Sequence, residues 1–228
     1  MAVSKDKGQI IINDAYVMLK PKSNVEAHSH KMPHIICGRE PFELSVAGKL
    51  VRGRTGIIPS DQMHVVVSMA EDTDMLLIMP LTDLYFQING LVRDKCWVSD
   101  KYHSFNQVIE VLAKSRISYK DEIGDERLVG LIDKLEDEEL FQKPVTELAR
   151  YVGLSESRLK HLFSARTGIR LKHYLLLNKL KRAYWQVNRG QSITFAAGEG
   201  GFADSSHLAV VSKKLMGISV SDVFRSDI

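Results

Sequence analysis

The hydrophobic pattern of this 228-residue chain changes period once, near residue 103. Upstream, short apolar or alternating runs cover 9–12, 15–19, 42–46, 56–58, 64–67 and 75–79. Turn formers separate them at Asn13-Asp14, Pro21, Gly48, Gly53, Pro59 and Asp72. Strands this short, punctuated this often, predict a small β-sandwich or barrel rather than βαβ units. Downstream, Phe105, Val108, Ile109 and Leu112 recur at i, i+3, i+4 and i+7, which predicts an amphipathic helix with Ser104 as its N-cap. A polar stretch at 118–125 reads as a boundary. From Glu126 every segment has the helical period, starting with Leu128, Leu131, Ile132 and Leu135. The expected organisation is an α+β chain: a β-rich domain at 1–100, a helix and linker at 101–124, and an all-α domain at 125–228.

The helical half repeats itself. Val145, Ala149 and Gly153 recur 48 residues later as Ile193, Ala197 and Gly201. After one extra residue in a turn the offset becomes 49, and Ser155, Leu159, Gly168, Ile169 and Leu171 correspond to Asp204, Leu208, Gly217, Ile218 and Val220. Each copy has the makings of a helix-turn-helix. A small residue, Ala149, allows a close helix crossing. Gly153 ends the first helix where a positive φ costs little, and Ser155 then caps the second. The second helix is expected to bury Leu159, Leu162 and Phe163. Its opposite face presents Ser157, Lys160, His161 and Ser164, a stripe that can enter a major groove. In the second copy Asp204 is the cap, Leu208, Val211 and Leu215 face inward, and Ser206, Ala209, Val210 and Lys213 face outward.

Charge supports a polyanion partner for this half. Residues 1–100 carry a net −1 and residues 101–140 a net −4, whereas 141–228 carry +8. The overall content, 44% hydrophobic and 26% charged, is that of an ordinary globular protein with a core. Two cysteines, Cys37 and Cys96, exclude a disulfide scaffold, and the lack of a CxxC pair argues against a thiolate zinc knuckle. No apolar run approaches the roughly 18 residues that span a bilayer, and the first residues carry no secretion signal. A soluble cytoplasmic protein without a membrane partner is expected.

The runs Glu147-Leu148-Ala149, Gly153-Leu154-Ser155, Leu159, Phe163, Gly168 and Tyr174-Leu175 resemble the AraC/XylS family of bacterial transcription regulators. Ser192-Ile193, Ala197, Gly201-Phe202, Leu208 and Gly217 extend that resemblance over roughly 126–226. It implies two helix-turn-helix units joined by a long helix at about 170–187, each offering a recognition helix to successive major grooves of double-stranded DNA. It also implies an activator more often than a repressor, with RNA polymerase as a partner. Ser157, Lys160 and His161 hold the family's base-facing positions in the first unit, and Ser205, Ser206, Ala209 and Val210 hold them in the second. Several positions depart from the family pattern. Val210 and Ala209 replace polar or basic readers, Ser212 replaces a buried aromatic, Gly200 an apolar residue, and Lys179 an Arg. The second unit is therefore expected to pack less well and to read fewer bases. Family members often dimerise through the helix at 104–115, which implies a homodimer; the alternative is that its apolar stripe packs on its own domain.

A second constellation lies upstream: His28-Ser29-His30, His34, and Pro59 followed by His64. It resembles the two metal-binding motifs of cupins, and so implies a small cupin-like barrel as a sensor domain. His34 stands where the carboxylate ligand is usual, and Asp61 where a glycine is. Four neutral imidazoles suit a divalent transition metal such as zinc, nickel, copper or iron(II). The other readings are a metal-free pocket for a small-molecule effector, or histidines that share a face through strand alternation alone. Two enzymatic functions compete with transcription regulation. A cupin metalloenzyme would need a general base near the metal, for which Glu26 is the nearest acid in sequence. A DNA-repair methyltransferase would need a reactive thiolate in a Pro-Cys-His-Arg run, which is missing. No nucleophile elbow or phosphate-binding glycine loop occurs, so the expected protein is a regulator and not an enzyme.

Overall fold

The computed structural model describes residues 11–12, 14–19, 27–92, 95–137, 139–217 and 219–221. One long hairpin organises the N-terminal half. Strands β3 (His34–Val46) and β4 (Lys49–Ile58) are joined by Ala47-Gly48, both at positive φ, 50° and 77°. That geometry matches the twist of the two strands, and Gly48 adopts it with no Cβ to clash. The β3–β4 register breaks between Cys37 and Phe42, a segment containing Pro41, which has no N–H to give a ladder. The break bends β3. Its first part, His34–Cys37, pairs with β6 (Asp74–Ile78), and its last part pairs with β5 (His64–Ser68). A straight strand of 13 residues would hold its ends roughly 40 Å apart. Here His64, paired with Val46 at the far end, has its ring 4.6 Å from that of His34 at the near end.

The remaining strands extend this curved sheet. β2 (Tyr16–Leu19) lies on β6, β1 (Ile11–Ile12) on β2, and β7 (Trp97–Ser99) on β4. The order is β1-β2-β6-β3-β4-β7 with β5 on β3, and all pairs are antiparallel. Among the described residues the sheet is open and strongly curved, with β1, β5 and β7 each paired with one strand only, so the expected barrel is not confirmed. The strand expected at 9–12 is described only at Ile11 and Ile12; Gln9 and Ile10 lie outside the described residues.

Helices cover the sheet where strands or linker were expected. Helix α1 (Asp83–Val92) falls within the first hundred residues and buries Leu84, Tyr85, Ile88 and Val92. Their spacing of one, four and eight is helical, but the apolar run just upstream obscures it. Helix α2 (Phe105–Ala113) starts as expected, with Ser104 accepting from the Gln107 N–H and the Gln107 side chain reaching back to the Ser104 N–H. Its apolar stripe turns inward. Val108 and Leu112 are buried, Ile109 packs on the same core, and Phe105 meets Tyr16 edge to face at 4.9 Å. The surface expected to meet a second subunit is thus spent within the chain. A short helix, α3 (Tyr119–Ile123), occupies the expected linker, capped by Ser118 and by Gly124 at φ 58°.

The helical half contains α4 (Glu126–Glu136), α5 (Val145–Tyr151), α6 (Glu156–Thr167), α7 (Leu171–Asn188), α8 (Ile193–Glu199) and α9 (Ser205–Met216). Two cores join it to the sheet. In one, Ile35, Leu76 and Ile78 continue through α1, α2 and α4 to Leu148, Leu159, Phe163 and Tyr174. In the other, Val17, Met32, Leu77 and Met79 pack with Leu177, Leu180, Ala196, Leu208 and Leu215. A third core, including Ile36, Phe42, Leu44 and Ile58, stays within the sheet. Lys181 of α7 reinforces the junction, pairing with Glu136 and, at 3.4 Å, with Asp14.

Two glycines near the end of α8 make a stability test. A Cβ on Gly200 would lie 2.9 Å from both the Lys179 carbonyl oxygen and the Ala183 Cβ, so α8 can approach α7 only without that atom. Gly198, exposed and two residues earlier, has nothing within 4 Å of a built Cβ. Urea denaturation should show Gly200→Ala destabilising by about 1–3 kcal/mol through overpacking. Gly198→Ala should stabilise by about 0.4–1 kcal/mol through the unfolded chain and helix propensity. Equal effects of one sign would refute the packing account.

Candidate nucleic-acid interface and histidine cluster

The internal repeat reappears as repeated backbone hydrogen bonds. In the first unit α5 ends at Gly153, φ 68°, and the Leu154 N–H donates to the Ala149 carbonyl at 2.9 Å. Ser155 then accepts from the Arg158 N–H at 3.3 Å and opens α6, which ends at Gly168, φ 69°. In the second unit Gly201 has φ 73° and the Phe202 N–H donates to Ala197 at 2.8 Å. Asp204 accepts from the His207 N–H at 2.7 Å and opens α9, which ends at Gly217, φ 75°. The extra residue between the copies is the exposed Ala203 in the turn. Of the sequence correspondences, Ile218 lies outside the described residues.

On α6, Leu159 and Phe163 are buried, Leu162 half-buried, and Ser157, Lys160 and His161 exposed together. Lys160 is paired with Glu156 at 2.9 Å, an exposed contact of little strength that a phosphate or base can displace. Ser164 departs from the expected outward stripe: it is half-buried and its hydroxyl donates to the Ile169 carbonyl at 3.3 Å. Arg158 and Arg166 are also exposed on α6. Sequence reasoning passed over them because it followed a single stripe, although their charge alone marked them. On α9, Ser206, Val210 and Lys213 are exposed, while Ser205 and Ala209 are half-buried.

The expected loose packing of the second unit is not what the fold has. Ser212, fully buried, sits 2.7 Å from the Tyr184 hydroxyl, so α7 supplies the aromatic ring that position 212 lacks. Gly200 is small because α8 and α7 touch there. Lys179 donates to the Gly201 carbonyl at 3.0 Å and so ties α7 to the turn of the unit.

The family comparison decides what these units are. Residues 148–226 match the helix-turn-helix domain family. The helical half carries an AraC-type helix-turn-helix domain. No curated protein sequence matches the chain. Among solved structures, an apo variant of ToxT from Vibrio cholerae is 12% identical, with 94% of this chain and 99% of that chain covered and a TM-score of 0.52. ToxT from the same organism with an unsaturated fatty acid bound is 14% identical, with 93% and 95% covered and a TM-score of 0.48. The first of these likenesses supports the overall arrangement, a β-rich N-terminal half ahead of the AraC-type domain.

The upstream histidines converge as their spacing suggested. His34 opens β3 and His64 opens β5. His28 exchanges both backbone hydrogen bonds with His64, at 3.0 and 2.9 Å. Ring centroids are 4.4 Å apart for His28 and His64, and 4.6 Å for both His30–His34 and His34–His64. One ring nitrogen from each of His28, His30 and His64 can be chosen so that all lie within 4.8 Å of one another. Asp61 locks the two loops together. Its N–H donates to the His30 carbonyl at 2.8 Å and its carboxylate accepts from Lys31 at 2.6 Å. It also takes the left-handed conformation, φ 62°, that glycine adopts most readily.

Burial keeps the rings of His30, His34 and His64 neutral. Desolvation first, and neighbouring imidazoles second, hold His30 and His34 well below the usual histidine range, and desolvation lowers His64 to about 4. The His64 Nδ1 lies 2.8 Å from the Gln62 carbonyl, which only accepts, so Nδ1 carries the proton and Nε2 keeps its lone pair. Both ring nitrogens of His30 and Nδ1 of His34 are buried without a partner. Glu26, the acid nearest in sequence, lies outside the described residues.

The thiols are protected rather than activated. Cys37 is buried in β3, and desolvation, then the neighbouring Asp74 charge, pushes its thiol up to about 12. Desolvation also raises Cys96. A methyl-accepting thiolate needs the opposite environment. Iodoacetamide at pH 8 should leave Cys37 unmodified in the native chain for hours and label it promptly in urea, as read by mass spectrometry. Rapid native labelling of Cys37 would show that the strand opens readily.

Proposed function

We propose that this chain is a sequence-specific DNA-binding transcription regulator that reads duplex DNA chiefly through α6. The observation that carries this reading is the pair of helix-turn-helix units, alike in caps and turns, inside a segment of net charge +8 over 141–228. In this reading residues 125–228 bind DNA, 1–100 sense a signal, and 101–124 connect them. Ser157, Lys160 and His161 face base edges, and Arg158, Arg166 and Lys213 face phosphates. On α9, Ser206 offers the polar atom and Val210 an apolar contact. An effector has a place to enter beside α1 and α2, where a cavity of 610 Å³ is lined mainly by Ile57, Val92, Trp97, Val108 and Leu112, with Lys95 and His103 among its walls. The family resemblance extends the reading to activation, with RNA polymerase as the protein partner, and to a homodimer made by a surface other than the α2 stripe. Among the described residues no helix is long and apolar enough to cross a membrane, and a cytoplasmic site of action belongs to the proposed regulator role. The burial of His30, His34 and His64, each at most 5% exposed, favours a regulator over a metalloenzyme, whose substrate would have to reach the ion.

The test is binding to duplexes selected from a random pool by the full chain. Affinity should fall by two or more orders of magnitude between about 50 and 200 mM salt as counterions are released. Lys160→Ala and His161→Ala should each cost about 1–3 kcal/mol on the selected sequence, and Val210→Ala much less. Failure to enrich any sequence would overturn the reading. A Val210→Ala loss as large as that of Lys160→Ala would reverse the ranking of the two units.

A further inference from the structure

A metal ion would satisfy the histidine cluster, and the cluster stands against the DNA-binding half. Packing alone does not explain these residues. Apolar side chains fill a buried pocket without loss, whereas each buried nitrogen lacking a partner carries a desolvation cost. Here both nitrogens of His30 and one of His34 are left so, beside a His64 whose Nε2 lone pair is held inward by the Gln62 carbonyl. Ligating imidazoles are oriented in this way by a backbone carbonyl on the other nitrogen. Nitrogens bound to zinc at about 2.1 Å in a tetrahedron lie roughly 3.4 Å apart, so the present spread within 4.8 Å closes by small side-chain rotations.

The position of the cluster gives it a consequence. The His28 ring lies on Gly217, the residue that ends α9: a Cβ built there would fall 2.4 Å from the His28 Nε2. Met32, between His30 and His34, is buried in the core that also holds Leu208 and Leu215 of α9 and Leu177 and Leu180 of α7. Drawing His28, His30 and His64 together therefore acts on the backbone at the end of α9 and on the core beneath it.

We propose that His28, His30 and His64, with His34 as the fourth donor, bind one divalent late transition metal, and that its occupancy sets the placement of the second helix-turn-helix unit and so the affinity for DNA. The coupling rests on the proposed DNA-binding function; the metal site stands apart from it. An all-imidazole set is of intermediate softness and favours zinc, cobalt(II), nickel or copper over magnesium or calcium. Four ligands leave no open position, which suits a regulatory ion rather than a catalytic one.

The experiment uses the full chain, purified without an affinity tag and stripped with a chelator. Titration with cobalt(II) should give one ion per chain and the visible absorption of a tetrahedral all-nitrogen complex, removed by one equivalent of zinc(II). His28→Gln, at a half-buried position, should weaken zinc binding at least tenfold while circular dichroism stays native. The zinc-loaded and stripped chains should differ at least fivefold in affinity for the selected duplex, and His28→Gln should abolish that difference. Magnesium should do nothing. Less than a tenth of an equivalent of cobalt bound, or equal zinc affinity in the wild type and a folded His28→Gln/His64→Gln chain, overturns the site. One tightly bound zinc with unchanged DNA affinity overturns the coupling. A chain that binds zinc but selects no DNA refutes the regulator reading, and the coupling with it, while upholding the site.

Discussion

Helix α7 has to bury two sides at once, and the arrangement of everything around it follows from that requirement. Leu171 and Tyr174 face the core of the first helix-turn-helix unit, while Leu177, Leu180, Ala183 and Tyr184 face the core of the second. Each core then continues into the curved sheet, through different residues on neighbouring strands. A helix used on both sides has few positions left for solvent, and its polar side chains are put to structural use. Lys179 holds the turn of the second unit, Lys181 bridges to Glu136 and Asp14, and the Tyr184 hydroxyl meets Ser212. The two recognition helices are therefore not independent beads on a linker. Their relative position is set by one rigid element clamped by hydrophobic burial, the non-directional force that dominates folding.

Much of this was legible in the sequence, for reasons that differ by element. The repeat announced the helix-turn-helix units because caps and turns impose fixed chemistry at fixed offsets: Gly153 and Gly201 at positive φ, Ser155 and Asp204 as N-caps. The convergence of the histidines was legible because a His-x-His pair puts both side chains on one face, with His34 and His64 at the spacing of neighbouring strands. What the sequence hid was long-range. Helix α1 follows an apolar run and only its burial reveals its period. Pro41 marks where β3 breaks, but which strands its two ends then meet is a tertiary choice that local pattern does not encode. Gly200 and Ser212 looked like weaknesses because their compensation comes from Ala183 and Tyr184 on another helix.

The bend in β3 also explains why residues so far apart in sequence share one site. His28 and His30 arrive on the segment before β3, His34 opens it, and His64 opens the strand paired with its far end. Sequence spacing alone could align His28 with His30. It could not bring His64 within 4.4 Å of His28, ring to ring, without the curl of the sheet and the Asp61 contacts that pin the two loops together. The same curl brings the His28 ring against the end of α9, so a cluster born of sheet geometry ends up touching the helical half.

This contact gives a physical reason for the uneven chemistry of the two units. A helix that reads bases needs a polar or cationic face free to move into the groove, and α6 has Lys160, His161, Arg158 and Arg166 exposed. Helix α9 is held at its C-terminal end by His28 and at its base by a core shared with Met32, Leu77 and Met79, and it carries Val210 and Ala209 where readers would stand. A unit bound that closely to the sheet gains little from discriminating contacts, because any shift of the sheet would displace them. It gains more by transmitting that shift. In the proposed reading, recognition concentrates on α6, whose exposed face carries the cations, and response on α9, whose C-terminal end meets His28. The energetic requirement for such a device is modest, since allosteric couplings of about 1–3 kcal/mol change affinity by roughly 5- to 150-fold.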